Sequence, residues 1–186
     1  MNKIANCIAS WMARNEVSSD NAEIYAYAIE CLLNTILTLG LIIVIGAITG
    51  RLLITLVWMV FFLPIRHMSG GLHAPNHIGC LISSLAVGTA CMFLAPLLKG
   101  QDWFIYIGTV LSIIIIFAFA PVIHSNHPMS YKKVRQMKIS ARVIIIIESV
   151  IVLLLHYCTK TNLAFAAILG VLSATISTGI GHFHDQ

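Results

Sequence analysis

The segment Arg66-His67-Met68-Ser69-Gly70-Gly71-Leu72-His73-Ala74-Pro75-Asn76-His77-Ile78-Gly79-Cys80 places three histidines and a cysteine just after an arginine. Two chemistries fit. In the first, Cys80 is a nucleophile whose proton passes to a neighbouring imidazole. Cys80 falls where an apolar run beginning near Ile78 opens a helix. Free backbone amides and the helix dipole there favour a thiolate and hold an oxyanion. In the second, His73 and His77, four residues apart, join His67 and Cys80 around zinc. The segment carries no His-Glu-x-x-His motif and no carboxylate to serve as a base, which weighs against zinc. A cysteine that only packs is the plainer alternative, and it suits Cys31, Cys91 and Cys158.

Spacing alone does not choose the imidazole. His77 lies three residues before Cys80 and shares its helix face if the helix begins early. His73 lies seven before, about 10 Å along an unbroken helix. It reaches the thiol only because Gly71 permits a tight turn and Pro75 breaks regular helix between the two. Local geometry leans to His77.

The elements that carry this cluster are set by composition. The chain is 59% apolar and 10% charged, with a mean hydropathy of +0.92. Soluble domains lie nearer 45–50% and about 25%. Six apolar stretches stand out: Cys31–Thr49, Leu52–Ile65, Ile78–Leu98, Trp103–Ile123, Val143–Cys158 and Thr161–Gly181. Of the 11 Lys and Arg and the 7 Asp and Glu, Glu148 alone falls inside them. This segregation excludes a soluble globular domain, a disordered chain, a disulfide-stapled module and a nucleic-acid binder. Five cysteines without paired spacing agree. The expectation is an all-α integral membrane protein, one domain over residues 1–186, with six transmembrane helices. Residues 1–30, interrupted by Lys3, Arg14, Glu16, Asp20 and Glu23, read as an interfacial amphipathic helix and not as a cleavable signal. Leu52–Ile65 is the short span. Closed by Pro64, it reaches about 21 Å as a helix, against a hydrocarbon core of about 30 Å. The isoleucine runs Ile113–Ile116 and Ile144–Ile147 read as lipid-facing or packing surface.

Basic residues give an orientation. With six spans and both termini cytoplasmic, Lys3, Arg14, Arg66, Lys132, Lys133, Arg135, Lys138 and Arg142 face inward, and Arg51, Lys99 and Lys160 face outward. Two cytoplasmic loops result: Arg66–His77, which holds the histidines, and His124–Arg142, basic and free of acidic residues.

Arg66-x-x-x-Gly70-Gly71-x-His73-Ala74 followed by Cys80, with the basic stretch downstream and six apolar runs, resembles the AgrB (accessory gene regulator B) family of membrane cysteine peptidases. The resemblance runs over nearly the whole chain. It implies His73 as catalytic base and Cys80 as nucleophile, supported by Arg66, Gly70 and Gly71, and so prefers His73 over His77. It implies an AgrD-like propeptide as substrate and a homodimer in the lipid bilayer, with no metal and no cofactor. The implied reaction cuts the propeptide's C-terminal tail and forms an acyl-enzyme thioester. The propeptide's own Cys or Ser then closes a thiolactone or lactone ring. Lys132, Lys133 and Arg135 are candidates for binding an acidic tail by charge, although basic loops also simply orient membrane proteins.

Glu148 stands apart, since an ionisable residue within a span suggests function. It reads as a third member of a triad with His73, or as a partner for His156 or a loop cation. Two rival functions remain: a small transporter or channel using Glu148 and the histidines, and a zinc-dependent membrane peptidase. His124, His127, His182 and His184 flank spans and read as interfacial.

Overall fold

A computed structural model describes residues 22–71, 77–122, 130–159 and 162–184. These residues form six α-helices and no strand: α1 (Ala22–Ile48), α2 (Leu52–Ser69), α3 (His77–Leu97), α4 (Asp102–Phe119), α5 (Tyr131–Thr159) and α6 (Asn162–His184). Five of them, α2 to α6, are long and apolar enough to cross a membrane, and α1 adds a shorter apolar run, Leu32–Ile48. The chain is a multi-pass membrane protein.

Several expected boundaries move. Pro64 does not end the second helix, which runs on for 18 residues to Ser69 and spans about 27 Å. Proline costs the helix the donor to the carbonyl of Val60, a loss that neighbouring elements in a membrane bundle accommodate. Arg66, His67 and Ser69 therefore sit on the last turn of α2 and not in a loop. His77 opens α3, which leaves residues 70–76 as the connection. The basic stretch is likewise no loop. From Tyr131 it forms the opening turns of α5, a 29-residue helix continuous with the span expected at Val143–Cys158. Residues 22–30 run unbroken into α1, so the interfacial helix expected over 1–30 has no boundary at Cys31. Residues 1–21 lie outside the described residues.

α6 is the centre of the bundle: 61% of its apolar window is buried, against 17–33% in the other spans. Its sequence explains why. Hydrocarbon does not drive apolar helices together, so close approach through small residues and polar contacts between helices do. Ala164, Ala166, Ala167, Ala174 and Gly170 supply the close approach. A Cβ at Gly170 would stand 2.6 Å from the Trp58 carbonyl oxygen of α2. Thr175 donates to Ser112 of α4 at 3.3 Å and adds a polar contact. The isoleucine runs do both jobs expected of them. Ile116 and Ile145 are fully buried, whereas Ile114, Ile146 and Ile147 are about half exposed on the outer surface.

The helices alternate in direction, which gives the bundle two distinct ends. One gathers the end of α2, the start of α3, the end of α4, the start of α5 and the end of α6. There the Val122 N–H donates to the Ser69 carbonyl at 2.9 Å, and Arg142 donates to the Phe117 carbonyl at 3.1 Å. At the other end, Arg51 donates to the Met92 carbonyl at 3.3 Å, and His156 of α5 meets Asp102 of α4 at 3.7 Å.

Candidate active site

The last turn of α2 is fixed from several sides. Ile65 and Ser69 are fully buried and point the turn into the bundle. The Ser69 hydroxyl lies 2.7 Å from that of Thr178 on α6. Past Ser69 the chain turns sharply, with φ +69° at Gly70 and +142° at Gly71. Both values belong to the region that favours glycine. Space makes the same demand. A Cβ on Gly70 would stand 2.6 Å from the Val122 carbonyl oxygen, and one on Gly71 would collide with the Arg66 guanidinium and approach the Ser177 carbonyl oxygen to 3.0 Å. The paired glycines therefore let the backbone pass between α6 and the exit of α4.

Arg66 links the turn to the start of α3. Its Nη1 donates to the Gly70 carbonyl at 3.0 Å. The same guanidinium lies close enough to Cys80 for the two to interact as charges. Cys80 is the fourth residue of α3 and half-buried, in the helix-terminal position expected of it. Its carbonyl accepts from Ser83 at 3.1 Å. Cys80 thus stands in the amino-terminal turn of its own helix, within electrostatic reach of the Arg66 guanidinium. Arg66, Gly70, Gly71 and Cys80 thus share one end of the bundle. His73 lies outside the described residues, as does the side chain of His77. His67 is exposed on the last turn of α2. Cys91 is buried, and Cys158 is exposed at the opposite end.

Lys132, Lys133 and Arg135 lie at the Cys80 end, exposed on the first turns of α5. The Lys133 N–H donates to the Ser130 carbonyl at 2.9 Å and approaches its hydroxyl at 3.4 Å, which caps the helix. Cations beside a helix N-terminus oppose the helix dipole and add to its positive field. The arrangement attracts anions better than the same cations would on a flexible loop.

Glu148 does not pair with His156, contrary to one expectation. The two are eight residues apart on α5, about 12 Å along the axis. His156 instead binds Asp102, with Tyr106 and Phe165 edge-on to its ring at 5.8 and 6.3 Å. Glu148 is 7% exposed. It lines a groove of about 270 Å³ between α2 and α5 with Val60, Phe61, Pro64, Ile144, Ile147 and Ile151. Its Oε2 has no hydrogen-bond partner among the described residues.

Two kinds of residue escaped the sequence reading. Thr178 and Ser177 of α6, more than a hundred positions from the glycine pair, belong to no motif. Val122 stands on the connection after α4. Only the excess of Ser and Thr near the end of α6 hints at a polar contact there.

Comparison with known proteins follows the same line. The family model for accessory gene regulator B, AgrB, matches residues 2–178. A protein of Listeria welshimeri named as AgrB-like is 29% identical over 150 residues, covering 79% of this chain and 73% of that one. An AgrB-like protein of Clostridium perfringens is 25% identical over 171 residues, 85% of this chain and 80% of its own. One from Halalkalibacterium halodurans is 25% identical over 127 residues, with coverage of 65% and 63%. No solved structure matches.

Proposed function

Because this chain belongs to the AgrB family, with its place in agr quorum sensing, its membrane association and its AgrD-like propeptide partner, we propose that it is a cysteine endopeptidase that trims and cyclises that propeptide. Cys80 is the nucleophile and His73 the base. The Cys80 thiolate attacks a peptide carbonyl, and the thiol proton passes to His73. The C–N bond breaks, the amine of the released tail takes that proton, and the remaining peptide is held as a thioester. The propeptide's own Cys thiol, or a Ser hydroxyl, then attacks the thioester carbonyl. A thiolactone or lactone forms and the Cys80 thiol is regenerated. Exchange of one thioester for another is close to energy-neutral, so the ring closes without ATP. A recessed site limits the competing attack by water.

The observation that carries this reading is the placement of Cys80 in the first turn of α3, at the end of the bundle where the Arg66 guanidinium binds the Gly70 carbonyl. It supplies a nucleophile, a cation and a glycine turn leading into the segment that holds His73. Lys132, Lys133 and Arg135 supply the charge that meets an acidic tail. The whole chain, residues 1–186, acts as one domain in the bacterial cell membrane, as a homodimer with six crossings and both termini in the cytoplasm. The distribution of cations supports that orientation. Arg66 and the basic residues of α5 mark the Cys80 end, whereas Arg51 and Lys99 mark the other.

The test is co-expression with a propeptide tagged on its tail. Wild type releases the tail and yields a covalent thioester adduct. Cys80→Ala lowers release by at least about a thousandfold and gives no adduct, as expected when a covalent nucleophile is removed. Unimpaired release by Cys80→Ala overturns the reading, and loss of wild-type release on chelation points to the zinc alternative.

A further inference from the structure

The Gly70 carbonyl is the point at which α2 hands the chain over to the segment that carries His73. It is held from two directions. Arg66 of its own helix donates to it at 3.0 Å. From α6, the Thr178 hydroxyl approaches it at 3.4 Å and the Ser69 hydroxyl at 2.7 Å. Ser69 in turn lies 3.2 Å from the Gly70 carbonyl oxygen. Thr178 has one hydroxyl proton and lies within reach of three acceptors: Ser69 Oγ, the Gly70 carbonyl and, at 3.1 Å, the Ala174 carbonyl of its own helix. Three arrangements satisfy this inventory. Thr178 donates back to Ala174 or to the Gly70 carbonyl while accepting from Ser69, or it donates to Ser69, which then donates to Gly70. In all three, the serine–threonine pair seats the glycine turn on α6.

We propose that Thr178 is a positioning residue of the catalytic site, which through Ser69 and Gly70 sets where the His73 segment leaves α2 and where Arg66 stands toward Cys80. This rests on the peptidase reading above. Ser69 and Thr178 are both fully buried, so water cannot replace a lost partner and the remaining hydroxyl must move to find one. The backbone that moves with it is that of Gly70. Arg66 binds that same carbonyl while interacting with Cys80. A shift at Thr178 therefore reaches the Gly70 carbonyl that Arg66 also holds. The Val122 N–H holds the adjacent Ser69 carbonyl at 2.9 Å, which leaves rotation about the glycines as the freedom that Thr178 removes.

The test uses the full-length protein in membranes with a tail-tagged AgrD-like propeptide, and compares Thr178→Val, Thr178→Ser and Ser69→Ala. Thr178→Val keeps the shape and loses the hydroxyl. It is expected to lower kcat by about tenfold to a hundredfold, the scale of an ångström-size misplacement, with KM within about twofold. The pH profile of Cys80 alkylation by iodoacetamide should shift in the same variant, which loss of packing alone would not cause. Thr178→Ser should recover most of kcat. Ser69→Ala combined with Thr178→Val should be little worse than either alone, because both remove one contact. A Thr178→Val protein with the wild-type kcat overturns the inference. So does a lowered kcat with an unshifted alkylation profile, or one that serine fails to restore, since each assigns Thr178 to packing. Cys80→Ala is run alongside. If it still releases the tail, the peptidase reading has failed and this inference falls with it; if it is inert while Thr178→Val is normal, only the role of Thr178 has failed.

Discussion

The two ends of the bundle carry similar kinds of residue in different balance: an arginine is held on a helix carbonyl and a ring at each, Arg51 at one and Arg142 at the other, but most of the exposed cations stand at the Cys80 end. At the Asp102 end, side chains make contacts within the bundle. Asp102 meets His156, and Arg51 lies over the Phe93 ring at 4.5 Å while bonding the Met92 carbonyl. At the Cys80 end, hydroxyls and backbone fix the geometry. Ser69, Thr178 and Val122 anchor the glycine turn, while Lys132, Lys133 and Arg135 stand exposed. Polar side chains held by partners within the bundle tie an end of it together. Charges left facing outward beside a fixed backbone leave it able to receive something. On the peptidase reading proposed above, the contrast separates a structural end from a reactive one.

That contrast can be broken or sharpened by substitution. The largest effect after loss of the nucleophile itself is expected at Gly71. Alanine there collides with Arg66 and the Ser177 carbonyl at a positive φ. Gly71→Ala should reduce tail release by roughly a hundredfold or more, as a misplaced catalytic loop does. Quantifying released tail at equal membrane levels of the two proteins checks this, and near-normal release would remove the turn from the reactive end. A smaller effect is expected from Lys132→Gln, Lys133→Gln and Arg135→Gln combined. Exposed charges act at range and are screened by salt. The triple variant should raise KM by about threefold to tenfold at low ionic strength, with kcat held and the difference shrinking at high salt. Equal KM values at both ionic strengths would leave those cations with orientation alone. The smallest effect belongs to the other end. Asp102→Asn removes a half-exposed partner of His156, and surface pairs contribute about 0–1 kcal/mol. Turnover should stay within about twofold; a larger drop would show that the structural end reaches the reaction.

Hydropathy made most of the helices legible, because exclusion of charge from the hydrocarbon is the strongest constraint on such a chain. It misplaced their ends for the same reason. A helix does not stop where the hydrocarbon stops, so Arg66 and the cations before Val143 read as loop although the backbone stays helical through them. Pro64 misled in the other direction. A proline removes one hydrogen bond, and a well-packed helix absorbs that. At the site, Cys80 and the two glycines were legible because a helix start and a positive-φ turn are local events. The contact from Ser69 to Thr178 was not, since two hydroxyls brought together by folding leave no spacing to read. The pairing imagined between Glu148 and His156 overlooked that two turns of one helix hold their side chains too far apart.

The continuity of α5 carries one consequence beyond its length. A cation on a flexible loop must surrender conformational freedom when it engages an anion, and a long basic side chain adds further loss. Arg135 and Lys138, both exposed, lie three residues apart on an unbroken helix and share a face, while Arg142, one turn further, is held by the Phe117 carbonyl. Their backbone entropy has already been spent in forming the helix. An acidic segment bound there, as proposed above, would meet cations of fixed spacing, leaving mostly its own chain to be ordered.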